Sequence, residues 1–290
     1  MHVLAHGGAG GPPRGTTERQ AVIDDAVTHG LEGSNPLDAV VRAVNILEDS
    51  PRFNAGRGGT LQTDGRQRMD AGVMTSDGRV GAVCNVPGVV RTVDLARFVH
   101  SETPHILLGP EGARAVGDHL GVDLNVDLIT EKQQSRFDEL DIPGDFEGQL
   151  GFVNERFGLP TTDDVALDTV GAVATDGDRL AAATSTGGRW VALAGRIGDV
   201  PQVGGGFFCS EVAAVSTTGS GEDIARATLA REVERLIADG FSPQVATIEA
   251  VAEFEGRTDG SAGVIAIDRD GEIGSAYNTA AMQTAVASDQ

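Results

Sequence analysis

The run Leu167-Asp168-Thr169-Val170-Gly171-Ala172-Val173 sets a threonine at the head of an apolar segment, directly after an acidic stretch. Taken alone, Thr169 is an ordinary β-branched strand residue. A threonine hydroxyl is a weak nucleophile at its own pKa and needs a base. Three further clusters bear on it. Thr184-Ser185-Thr186-Gly187-Gly188 brings three hydroxyls against two glycines, which by itself describes a turn. Gly195-Arg196-Ile197-Gly198-Asp199 places a cation and an anion three apart in a Gly-flanked loop. Such a pair can grip a zwitterion, Arg196 taking a carboxylate through its fork and Asp199 taking an ammonium; a plain loop salt bridge is the commoner reading. Ser216-Thr217-Thr218-Gly219-Ser220-Gly221-Glu222 joins a strand end to a helix. Backbone N–H groups there can form an oxyanion hole. They can equally cradle phosphate, but the chain has a single lysine, Lys132, and no Walker spacing.

The elements that must position these residues alternate. Val3–Ala5 reads as a strand entering the Gly-rich turn His6–Gly10. His6 is a turn residue packing near the site, since no G-x-S-x-G elbow accompanies it. Thr17–Leu31 has helical periodicity. Asn35-Pro36 opens a second helix, with Asn35 as its cap and an apolar face of Ala39, Val40, Ala43, Val44 and Leu47. Phe53–Gly59 is a loop, and 60–86 reads as strands turning at Asp64-Gly65 and Asp77-Gly78. A helix, a strand and a helix follow over 92–99, 106–108 and 110–116. Residues 121–168 are polar, acidic and poorly periodic, with breakers at Pro143-Gly144 and Pro160, and read as a mobile connector. Strands follow over 169–175, 179–185 and 212–216, then helices over 224–237 and 243–254. A hairpin closes the chain over 263–268 and 272–277. Strands and helices in both halves predict two packed sheets with helices outside.

Composition bounds the function. The 290 residues are 40% apolar, enough for a full core, and include no apolar run long enough to cross a membrane. The first residues lack the basic-then-apolar pattern of a signal peptide. Cys84 and Cys209 stand alone without metal-type spacing, as do His100, His105 and His119, which fits a cytoplasmic protein. A formal net charge of -21 disfavours nucleic acid. Acidic residues scattered among periodic segments predict a solvated surface suited to high salt, hence a halophilic source.

Together and in this order, the clusters resemble the asparaginase and isoaspartyl peptidase family of N-terminal-nucleophile hydrolases. His6–Gly10, Phe53–Gly56, Met69–Ala71, Pro104-His105, Thr169–Val173, Thr184–Gly188, Gly195–Asp199, Thr217–Glu222, Gly263–Asp268 and Asn278-Thr279 carry the resemblance over nearly the whole chain. It implies an α+β fold of four αββα layers and a self-catalysed cut between Asp168 and Thr169. The products would be chains 1–168, including the connector, and 169–290, together one structural domain. Thr169 is then the nucleophile and Thr186 the hydroxyl that orients it. Arg196 and Asp199 hold the substrate's α-carboxylate and α-amino group. Thr218 and Gly219 supply the oxyanion hole, with Gly221 and Asn54 also at the substrate. The backbone carbonyls of Leu47, Glu48, Ser50, Phe53, Ala55 and Arg57 would bind a structural Na+ or K+; no cofactor serves the chemistry. The expected activity is hydrolysis of L-asparagine or β-aspartyl dipeptides, in a dimer of the cleaved two-chain unit without nucleic acid or membrane partners. Many relatives carry glycine before the nucleophile, whereas Asp168 also suits the glycosylasparaginase branch, which stays open as an alternative. A non-catalytic aspartate binder is the reading from another class, and Thr169 with both partner clusters argues against it.

Overall fold

The computed structural model describes residues 1–11, 15–157 and 169–289. Strand β1 (His2–Gly10) opens the chain, followed by helices α1 (Thr16–Leu31) and α2 (Pro36–Asp49). Asn35 caps α2 as its sequence predicts, its side-chain oxygen accepting the Asp38 N–H at 3.0 Å. A one-turn 3-10 segment at Gly56–Gly58 leads to the antiparallel pair β2 (Met69–Thr75) and β3 (Val80–Val86). Then come α3 (Thr92–Glu102), β4 (Leu107–Leu108) and α4 (Pro110–Leu120).

The expected connector is not all connector. It holds helices α5 (Glu131–Asp138) and α6 (Phe146–Phe157). The signal was Thr130 with Gln133 three residues on: Thr130 Oγ1 accepts the Gln133 N–H at 3.3 Å, and Gln133 Oε1 accepts the Thr130 N–H at 3.1 Å. This capping box starts a helix that has no buried residue, so hydrophobic periodicity could not reveal it. Asp168 lies outside the described residues.

The second half runs β5 (Val170–Thr175), β6 (Leu180–Thr186), β7 (Phe207–Cys209), β8 (Ala213–Gly219), α7 (Gly221–Ala227), α8 (Leu229–Ala238), α9 (Pro243–Arg257), β9 (Ala262–Asp268), β10 (Ile273–Tyr277) and β11 (Ala281–Ser288). The single helix expected over 224–237 is divided because Thr228 adopts a left-handed φ of 48° between α7 and α8. Strands β7 and β11 carry no strong sequence signal and were not foreseen.

Seven strands in the order β11-β1-β5-β6-β2-β3-β4 form one sheet, and β10-β9-β8-β7 form another. Helices α1–α3 pack on the large sheet and α8–α9 on the small one, while β1, β5 and β6 contact β8 and β9. Strand periodicity explains the two cores. Val170, Ala172 and Ala174 of β5 and Ala181 and Ala183 of β6 join the core under α1–α3. Val173, Leu180 and Ala182 join Val215, Ile265 and Ile267 between the sheets and under α8–α9. The alternate set Thr169, Gly171, Thr184 and Thr186 therefore faces the second sheet.

Candidate active site

Register places the first two hydroxyls. Val170 pairs with Ser185 across β5 and β6, so Thr169 stands opposite Thr186 one step further on. Thr169 Oγ1 donates to Thr186 Oγ1 at 3.1 Å, and Thr186 Oγ1 accepts the Gly188 N–H at 3.1 Å. Asn54 ties the 53–60 loop to this strand end. Its side-chain amide donates to the Gly188 carbonyl at 2.6 Å, its own carbonyl accepts the Gly187 N–H at 2.8 Å, and its Oδ1 accepts the Thr60 N–H at 2.9 Å.

Beneath Thr169 lies a buried polar chain. His6 Nε2 stands 2.9 Å from Ser216 Oγ, which is 2.7 Å from Thr184 Oγ1; Thr184 donates to the Gly206 carbonyl at 3.0 Å. The His6 Nδ1 accepts the Gly8 N–H at 3.3 Å, which assigns the ring proton to Nε2. Burial drives the His6 pKa down to about 3, against a hydrogen bond to the Thr169 backbone, so the ring is neutral. His6 thus belongs to strand β1 rather than to the turn its glycines suggest. The chain fits because β5 has no side chain at 171: a Cβ on Gly171 would lie 2.0 Å from Ser216 Oγ and 2.6 Å from His6 Nε2.

The cleft above is lined by Asn54, Thr169, Thr186, Gly188, Arg189, Arg196, Asp199, Gly219, Ser220 and Gly221. Seven of the sequence-predicted residues thus meet in one place. Thr218 is fully buried one residue behind Gly219. Arg196 does not pair with Asp199 as a loop salt bridge would. It forms a bidentate fork with Glu222, Nε to Oε1 at 2.8 Å and Nη2 to Oε2 at 2.7 Å. That leaves the end-on face of the guanidinium for a second carboxylate. Burial raises the Glu222 pKa, but the Arg196 fork outweighs it and the result is about 2. Asp199 is buried with no hydrogen-bond partner at Oδ2. Burial pushes its pKa up to about 6 although Arg196 pulls it down. An unpartnered buried carboxylate oxygen is a costly feature in a native protein, and this one can accept from a donor that enters the cleft. Glycine at 221 makes room for both groups, since a Cβ there would lie 2.6 Å from Asp199 Oδ1 and 2.7 Å from Arg196 Nη2. Behind them Asp70 accepts the Asn85 N–H at 2.7 Å, and burial lifts its pKa to about 7 against that bond and Arg196.

The predicted carbonyl loop is tightly folded. A Cβ on Gly56 would meet the Glu48 carbonyl oxygen at 2.1 Å, and one on Gly58 the Phe53 carbonyl oxygen at 1.9 Å. The carbonyls of Leu47 and Ala55 accept the N–H groups of Ser50 and Gly58, each keeping a lone pair. Glu48 contributes more than its carbonyl. Its buried carboxyl accepts from Ser185 Oγ at 2.6 Å and from the Thr92 and Val93 N–H groups at the start of α3. Sequence reasoning did not foresee this, nor Arg189 in the cleft wall, because neither residue has a partner nearby in the chain. Among the described residues, no group of three or more His, Cys, Asp or Glu side chains is placed to hold a metal ion. None of the described helices is long and apolar enough to cross a membrane.

Known proteins share this sequence along its length. A family model described as Asparaginase matches residues 1–290. The isoaspartyl peptidase/L-asparaginase of Danio rerio is 38% identical over 297 residues, covering 98% of this chain and 91% of that protein. The plant-type L-asparaginase of Pyrobaculum calidifontis is 39% identical over 292 residues, covering 97% and 94%. The isoaspartyl peptidase/L-asparaginase of Homo sapiens is 35% identical over 298 residues, covering 99% and 93%. This chain belongs to the asparaginase family.

Proposed function

We propose that the protein is a self-cleaving threonine amidohydrolase that releases L-aspartate from L-asparagine and from β-aspartyl dipeptides. The observation that carries this reading is the Thr169–Thr186 hydroxyl pair at the floor of a cleft that also holds Arg196, its fork half filled, and Asp199 with one carboxylate oxygen unpartnered. The relatives named for these two activities support it.

The chemistry starts with the chain's own backbone. While the chain is intact, the Thr169 nitrogen is an amide and cannot take a proton. The Thr169 hydroxyl attacks the Asp168 carbonyl carbon; the C–O bond forms, the C–N bond breaks, and water hydrolyses the resulting ester. Chains 1–168 and 169–290 result, and Thr169 now carries an α-amine with a pKa of about 8. That amine takes the hydroxyl proton in turnover. Arg196 binds the substrate α-carboxylate, and Asp199 the α-ammonium. Thr169 Oγ attacks the side-chain amide carbon, with Thr186 orienting it, while Thr218 and Gly219 meet the oxyanion. One such donor contributes about 3 kcal/mol. The leaving nitrogen departs with a proton, and water frees aspartate from the ester.

Wider features belong to the same reading. Large-sheet strands from both halves interleave, β5 and β6 lying between β1 and β2, which supports one domain that stays whole after the cut. The packing of helices outside two contacting sheets supports the four-layer αββα arrangement. Loop carbonyls of Leu47, Glu48, Ser50, Phe53, Ala55 and Arg57 would hold Na+ or K+, hard cations that take oxygen ligands; the glycine cradle around the Glu48 and Phe53 oxygens supports this. The ion would stiffen the loop that carries Asn54. Two free, buried cysteines support a cytoplasmic setting, and the charge of -21 a halophilic one. A dimer of the two-chain unit is carried over from the family resemblance and is read by light scattering in high salt.

The test is a direct assay. Purified protein in molar salt should release ammonia from L-asparagine and free amino acid from a β-aspartyl dipeptide, and the Thr169→Ala variant should do neither. Turnover by the alanine variant would overturn the assignment of the nucleophile.

A further inference from the structure

The cleft wall contains a cation that the proposed reaction has not used. Arg189 follows Gly188 directly, so the same backbone that Asn54 and Thr186 hold beside the nucleophile also carries this side chain. Arg189 lines the cleft with Thr169, Thr186 and Arg196. Its guanidinium carbon lies 3.8 Å from the Phe157 ring centroid at the end of α6, a cation–π contact that holds the group in place. Its Nε is buried and has no hydrogen-bond partner among the described residues. Glu222, whose charge acts on Arg189, already accepts from Arg196 with both oxygens. A half-buried guanidinium with an unmet donor is the counterpart of Asp199 with its unmet acceptor: each lacks a ligand group of opposite charge.

The reaction supplies such a group. Resting on the proposed function above, a β-aspartyl dipeptide brings three charges. The aspartyl α-carboxylate and α-ammonium are taken by Arg196 and Asp199. The third is the α-carboxylate of the leaving amino acid, which asparagine lacks. We propose that Arg189 binds the terminal carboxylate of the leaving residue and so determines preference for dipeptides over asparagine. It is a binding residue and takes no part in bond making. The charge balance of the molecule gives it a further task. A dipeptide carries one net negative charge toward a protein of formal charge -21, and a local guanidinium counters that repulsion.

The inference is read as a ratio, so that any general loss of activity cancels. The probes are β-aspartyl-leucine, its C-terminal amide β-aspartyl-leucinamide, and L-asparagine. The wild type should favour the free acid over the amide by about tenfold in kcat/KM, the value of a charge-assisted hydrogen bond. Arg189→Met removes the charge and every N–H donor while keeping an unbranched apolar side chain, and should bring that ratio to about one, through KM rather than kcat. Arg189→Lys should restore part of it. Equal treatment of acid and amide by the wild type, or a ratio that survives in Arg189→Met, overturns the inference while leaving the proposed function intact. No turnover of any of the three probes by the wild type overturns the proposed function, and this inference with it.

Discussion

At the residue scale, the site is a set of unmet valences held apart by glycine. Asp199 is the most informative of them. With a pKa near 6, it is ionised above that pH and able to bind an ammonium, and neutral below it. The kcat/KM for asparagine should therefore fall in two steps on acidification, below about 8 as the Thr169 α-amine takes a proton and more steeply below about 6 as Asp199 does, and Asp199→Asn should remove the second step along with most of the affinity. A second step unchanged in the variant would place that titrating group elsewhere. The hydroxyl pair makes a second prediction. Thr169→Ser should keep measurable turnover, and Thr186→Val should cost roughly ten- to a hundredfold in kcat by releasing the nucleophile from its partner. The types and order of these residues were legible in the sequence, because each motif couples a reactive side chain to the glycines it needs. The pairing of Arg196 with Glu222 was not, since the spacing offers only Asp199 three residues on, while Glu222 lies 26 residues away and is brought there by the fold.

At the element scale, strand register and helix starts do the positioning. Gly221 begins α7, and its missing Cβ is the space in which Arg196 and Asp199 meet. Gly221→Ala improves helix propensity by about 1 kcal/mol and displaces only side-chain ends. Stability should change by no more than about 1 kcal/mol, while KM for asparagine rises by roughly tenfold. An unfolded variant, or an unaltered KM, would show that the glycine serves something else. Glu48 joins α2, the start of α3 and β6 through its carboxyl, which burial pushes well above the ordinary range against the Ser185 hydroxyl. Glu48→Ala strands those donors and should cost about 2–4 kcal/mol in denaturant melts. Most elements were readable from hydrophobic periodicity: the Asn35-Pro36 start of α2 and the hairpin of β9 and β10 fall where the pattern puts them. Helix α5 escaped because it buries nothing, and β11 because its exposed face blurs the alternation.

At the scale of the whole molecule, two electrostatic burdens act together. The charge of -21 repels itself over a Debye length of about 30 Å in dilute buffer but only about 3 Å in molar salt, so Tm should rise by on the order of 10 °C between the two. A Tm independent of salt would contradict the halophilic reading. The buried carboxyls act through protons instead. Asp199 at about 6 and Asp70 at about 7 both hold protons in the folded chain that the unfolded chain has already lost. Their contribution to stability is full below the ordinary carboxylate pKa and declines as pH rises to about 7. Glu222, held at about 2, contributes in the opposite sense: its stabilisation is present at neutral pH and lost on acidification toward 2. The proposed function rests on one covalent event, a cut that would turn the Thr169 amide into an amine. Intact-mass spectrometry of the purified protein after incubation in molar salt reads it directly. Two fragments that meet between Asp168 and Thr169, with Thr169→Ala remaining one chain, are the predicted result. A folded wild-type chain that stays whole while hydrolysing asparagine would contradict it.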